Sequence, residues 1–160
     1  MTTSPIEKII SDAKIELAQR VQDNIGSSKE QTSRVFELAK DAFIRLLESE
    51  AGVGHFEEFL KVYNGTATTI SVAQIGSLLE HFHAKKLRNY LKISDMDAAK
   101  AARIVSLFVI ERINTKKSTP TKDIKTLCAQ MGLDDCIPQL EALKEKWDDL
   151  SPEEKKRYSH

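Results

Sequence analysis

Apolar residues along this chain recur three and four positions apart, and nowhere do they alternate in twos for long. Ile6, Ile9, Ile10, Ala13, Leu17 and Val21 trace one helical stripe, which Gly26 can end. Val35, Phe36, Leu38, Ala39, Ala42, Phe43, Leu46 and Leu47 make a wider face, which predicts a core helix closed by Gly52 and Gly54. FEEFLKVY (56–63) reads as a short helix stopped at Asn64-Gly65, and TATT (66–69) as a loop. Ile75, Leu78, Leu79 and Phe82 form the next stripe, continued by Leu87, Tyr90 and Leu91. Residues 101–110 are apolar on nearly every side, which predicts a central buried helix. Ile124, Leu127, Cys128 and Met131 precede a stop at Gly132, and Ile137, Leu140, Leu143, Trp147 and Leu150 form one more face.

Helix starts are written between these stripes. SPIE (4–7), SVAQ (71–74), SDMD (94–97) and SPEE (151–154) have the capping-box form, and SSKE (27–30) offers a further start. In that form a serine oxygen takes a free backbone N–H and the fourth residue reaches back. STP (118–120) breaks and restarts the chain, and no strand run appears. The expected fold is therefore all-α: one domain over 1–160, a bundle or array of about seven or eight helices. Segments 35–48 and 98–114 are expected at its centre. Residues 17–47 and 87–113 share the order short helix, polar cap, long apolar helix. This suggests a degenerate internal duplication with pseudo-repeats 17–65 and 87–132.

LAQRV, SSKEQTSRVFELAKDAFIRLL and GVGHFEEFLKVYNG carry a resemblance. Their order resembles the YidB-like bacterial domain of unknown function over 17–65, with a poorer echo at 87–132. The resemblance implies a helical fold and no assigned activity. The chain departs from that domain in its glycine content, which is only six residues.

Composition narrows the setting. With 41% hydrophobic and 30% charged residues the chain is expected to be globular and soluble. The opening MTTSPIEKII lacks a basic stretch followed by an apolar one, so no secretory signal is read there. The window 101–113 is too short and too charged to span a bilayer, and no membrane contact is expected. Two cysteines, Cys128 and Cys136, make no disulfide framework. The expected location is cytoplasmic, with reduced thiols.

Net charge is zero but polarised. Residues 84–125 hold eleven Lys and Arg against four acids, while the flanking segments are acidic. Within this run lies HFHAKKLRNYLK (81–92). Lys85, Lys86, Arg88, Lys92, Lys116 and Lys117 are the candidate phosphate contacts, because a cluster of cations releases counterions from nucleic acid. The competing reading is a solvated face paired with acidic helices. His81 and His83 stand roughly 200° apart on a helix, so they cannot share one metal, and both are expected at the polar edges of a core-facing Phe82.

Other motifs carry less. IKTLCAQMGLDDCIPQLEAL (124–143) has the rhythm of a helix-turn-helix, but Asp134, Asp135 and Glu141 would meet phosphates, so it reads as an ordinary hairpin. WDDLSPEEKKRY (147–158) resembles a fragment of an HMG box without its basic arm or wedges. Cys128 sits on an apolar stripe and reads as a buried small hydrophobe; Cys136 lies near a helix start but beside two aspartates. GVGHF is too short for a phosphate loop, and no nucleophile, P-loop or zinc motif occurs. No catalytic, cofactor-binding or metal set is assigned. The reading is a non-enzymatic interaction module that binds a protein partner or itself. Nucleic-acid binding through 84–125 is the alternative. A deep polar pocket with converging carboxylates would count against the first.

Overall fold

Eight α-helices and one 3₁₀ turn lie within the described residues, 4–158 of the chain, in this computed structural model. The ends of the expected 1–160 domain, including Met1 to Thr3, lie outside them. α1 (Pro5–Ile25), α2 (Lys29–Gly52), α4 (Thr69–Leu91) and α5 (Asp95–Ile113) form an up-down-up-down bundle. Short α3 (Phe56–Tyr63) crosses one end. α6 (Ile124–Met131), a 3₁₀ turn at Asp134–Cys136, α7 (Ile137–Asp148) and α8 (Pro152–Lys156) complete the chain.

The caps explain the boundaries. Ser28 with Gln31 and Ser151 with Glu154 are full capping boxes. Ser94 accepts the Asp97 N–H at 3.1 Å and starts α5. At α1 only half the box forms: Ser4 takes the Glu7 N–H at 3.3 Å, while the Glu7 carboxylate reaches Lys40 on α2 at 2.7 Å. The α4 start differs from expectation. Thr68 is the cap and the Ser71 N–H is its donor at 3.1 Å, so Thr69 of the expected TATT loop is already helical. Threonine and serine both cap well, and the earlier of the two candidates wins.

α2 is the central helix. Eleven of its residues are buried, from Thr32 to Ala51, because α1, α4 and α7 each cover a part of it. α7 runs beside its C-terminal half in the same direction: Gln139 donates to Glu48 at 2.6 Å, and Trp147 lies across Gly54. Gly54 has φ +76°, and a Cβ there would stand 2.1 Å from the Trp147 Nε1, so only glycine fits. Phe43, 1% exposed, meets Phe59 of α3 edge-on at 5.8 Å.

α5 is less central than its apolar sequence predicts. Ala98, Ala101, Ala102, Val105, Val109 and Ile110 face α4 and α1, but Leu107 is 58% and Met96 68% exposed. Both share the outward stripe of Lys100 and Arg103, and Phe108 is only half-buried beneath the Arg112 guanidinium. Arg112 also pairs with Asp12 and Glu16 at 3.5 and 3.4 Å, fastening α5 to α1.

A buried polar knot anchors the loop after α5. The Asn64 amide donates to the Thr121 carbonyl at 2.8 Å and accepts the Thr121 N–H at 2.9 Å. Tyr63 and Thr121 both donate to the side-chain oxygen of Gln130. No helix among the described residues is long and apolar enough to cross a membrane.

Candidate functional site

The six candidate cations do not share one surface. α4 and α5 are antiparallel: Arg88 sits near Asp95 at 3.7 Å, and Gly76 lies opposite Ile110. Lys85, Lys86, Arg88 and Lys92 therefore lie at the C-terminal end of α4. Lys116 and Lys117 lie beyond the other end of the α4–α5 pair, where Lys116 closes over Gly65. The 23 residues of α4 place those ends about 33 Å apart. Lys117 is also turned inward. Its Nζ donates to the carbonyls of Tyr63, Ile113 and Thr115 and lies 4.3 Å from the Tyr63 ring centroid. That ammonium fastens backbone, and burial lowers its pKa. Of the remaining four, Arg88 pairs with Asp95 and Lys86 lies over the Tyr90 ring at 5.8 Å. Lys85 and Lys92 project into solvent.

HFHAKKLRNYLK is turned by about one position from expectation. His83, not Phe82, faces the core: it is 1% exposed, and its Nε2 lies 2.8 Å from the Val35 carbonyl. Phe82 is half-buried under Arg45, and His81 is exposed. The inward series is Ile75, Leu79, His83 and Leu87, four apart throughout. With Nε2–H donating, Nδ1 is left buried and unpartnered. Burial, outweighing the Val35 bond, lowers the His83 pKa to about 4. Cys128 is fully buried, which pushes its thiol up to about 11, and burial with nearby Glu48 and Asp135 also raises Cys136.

An acid occupies a core position that the apolar pattern leaves unnoticed. Glu50 follows Phe43, Leu46 and Leu47 in the core phase of α2, and it is 3% exposed. Its carboxylate has no hydrogen-bond or ion-pair partner among the described residues. It lines a cavity of about 190 Å³ between the end of α2, α3 and the start of α4. The other walls are His55, Glu58, Ser71, Gln74, Ile75 and Leu78. Loss of water and then the charge of Glu58 raise the Glu50 pKa to about 7. Glu58 itself stays exposed and pairs with Lys61 at 3.4 Å. The signal in the sequence is the phase: in LLESE the first glutamate turns toward α7, where it meets Gln139, and the second turns into the core. Among the described residues no group of three or more His, Cys, Asp or Glu is placed to hold a metal ion.

Beside this cavity, and sharing Gln74 and Leu78 with it, runs an open apolar groove of about 600 Å³ on α4. Ile70, Ala73, Gln74, Ser77 and Leu78 line it. Ile70 is 72% exposed, although an isoleucine gains roughly 1.5–3 kcal/mol from full burial. A larger depression of about 680 Å³ between α3, α6 and α7 has charged walls whose groups are partly engaged already. There Lys144 pairs with Asp148 at 2.9 Å, and Asp123 caps α6 through the Thr126 N–H at 2.7 Å.

The chain matches no protein-family model, no curated protein and no solved structure. The YidB-like resemblance rests on the residues quoted for it alone.

Proposed function

We propose that this chain is a non-enzymatic helical interaction module that docks a partner protein on the N-terminal half of α4. The observation that carries this reading is the exposed Ile70 in an apolar groove, continuous with a cavity holding an unpaired buried acid. Apolar surface with a polar anchor at one end is the chemistry of a docking face. The Glu50 cavity holds two carboxylates, yet at about 190 Å³, with Ile75 and Leu78 as walls, it has room for one side chain. Nucleic-acid binding takes second place, because only four of the six cations lie at one end and two of those are already engaged. A photo-crosslinking residue at position 70, against one at exposed position 19 on α1, tests the reading in cells. Discrete cross-linked protein at position 70 alone is expected. Equal labelling at both positions, or none at 70, would overturn it.

A further inference from the structure

The cavity at the end of α2 holds a charge arrangement that nothing in the fold requires. Buried carboxylates are normally paired, because removing an ionised group from water without a partner costs several kcal/mol. Glu50 is only 3% exposed as a residue and its carboxylate is unpartnered, but the carboxylate oxygens reach solvent through the cavity, facing that space instead of a lysine or arginine of its own chain. A core leucine or methionine at this position would serve packing better. A cation entering the cavity would meet an unpaired carboxylate there.

The walls say which kind of cation. A metal ion would need further ligands, and no three-residue set is placed to provide them among the described residues. A primary ammonium needs acceptors for three N–H donors. Glu50 and Glu58 supply such acceptors, Glu58 while also pairing with Lys61 at 3.4 Å, and Gln74 is a further polar residue in the wall. Ile75 and Leu78 give an apolar wall against which a methylene stem can lie, as lysine stems do. The cavity, about 190 Å³, has room for one aminoalkyl chain.

We propose that this cavity is a socket for the side-chain ammonium of a lysine presented by a partner protein, with Glu50 as its buried counter-ion. The inference rests on the α4 face being a docking surface and names the side chain that anchors there. The partner's apolar neighbours would lie along Ile70 and Ala73, and its lysine would turn in past Gln74 and Leu78. The charged and titratable groups facing Glu50 are Glu58 with its exposed Lys61 from α3 and His55 from the preceding turn. From α4 come only the neutral Ser71 and Gln74. Because Glu50 must be ionised to act, capture strengthens as pH rises from about 6 to 8, a range in which lysine stays cationic.

The test is a titration of the full chain with lysine blocked at both its α-amine and carboxylate, followed by NMR of the Ile75 and Leu78 methyl groups. The ε-acetylated form of the same compound is the neutral control. Saturable shifts with blocked lysine alone are expected, with millimolar affinity and binding that tightens with pH. Glu50→Gln should weaken binding about tenfold, the loss of one charge-assisted contact. Glu58→Gln, on an exposed helix face where folding is not at stake, should weaken it by less. Equal shifts from the acetylated form, no shifts at all, or binding left unchanged by Glu50→Gln would overturn the socket. Cross-linking at position 70 without lysine binding would sink this inference alone. Lysine binding without cross-linking would sink the docking reading, and with it the partner's lysine, leaving only an ammonium-binding cavity.

Discussion

Single residues show how exposure divides sites that look alike in sequence. Phe43 and Phe108 both sit in long apolar runs, and both read as central. Phe43 is 1% exposed and wedged against Phe59, so Phe43→Ala should cost about 3–5 kcal/mol through lost transfer energy and a cavity. Phe108 is half-buried with the Arg112 guanidinium 4.4 Å above its ring centroid. Its truncation should cost only about 1–2 kcal/mol, the partial burial plus a surface cation–π contact. Urea melts of the two variants measure the difference, and equal losses would mean that α5 is as deeply buried as α2. The distinction is not legible in the sequence. Which stripe of an all-round apolar helix faces outward depends on neighbours, and here α4 and α1 leave Leu107 and Phe108 partly uncovered.

At the scale of elements, much more is legible, because caps and stops are local chemistry. Ser28, Ser94 and Ser151 start helices, and Gly26 and Gly132 end them in the left-handed conformation. The α4 start slips by three residues, since Thr68 and Ser71 offer the same hydroxyl chemistry. Its end hides a second departure. Lys92 caps α4 at φ +54°, the only non-glycine described with positive φ, where a Cβ is strained. Lys92→Gly should therefore stabilise the chain by about 0.5–1 kcal/mol, raising Tm by roughly 1–4 °C in a domain of this size. A lower Tm would show that the lysine side chain contributes more at this cap than its backbone strain costs. The candidate site is the least legible part. The six cations are neighbours in sequence, but an antiparallel hairpin sends 85–92 and 116–117 to opposite ends. Glu50 escapes notice because an acid within an apolar helix ordinarily marks the solvent side; its phase with Phe43, Leu46 and Leu47 is the one hint, which α3 and α4 bear out by closing over it.

For the whole molecule, His83 and Glu50 give pH dependence of opposite sign. His83 is neutral when folded, with its pKa lowered from 6.5 to about 4, so the unfolded chain binds more protons in that interval. Stability from this group is present above 6.5 and is lost as pH falls, on the order of 3 kcal/mol in full. Glu50 is raised from 4.5 to about 7, so the folded chain holds the extra proton. Its contribution is present below 4.5 and is lost as pH rises, again on the order of 3 kcal/mol. Between about 4.5 and 6.5 the two slopes oppose, and the wild type should be nearly flat. Below that window Glu7, held low by Lys40, Asp123 by the Thr126 N–H, and Glu154 by the Ser151 N–H give an acid limb. Removing either buried group should expose the other. His83→Leu keeps a core-sized side chain, and the Val35 carbonyl it releases still serves the α2 ladder. That variant should gain stability as pH falls from about 7 to 4.5. Glu50→Gln should lose it as pH falls from about 6.5 to 4, and be more stable than wild type at about pH 8. Urea midpoints across this range decide the matter: parallel profiles for the two variants would mean that neither group keeps in solution the protonation its burial imposes. The same measurement reaches function, because a Glu50 that strains the fold when ionised is relieved when a lysine enters its cavity.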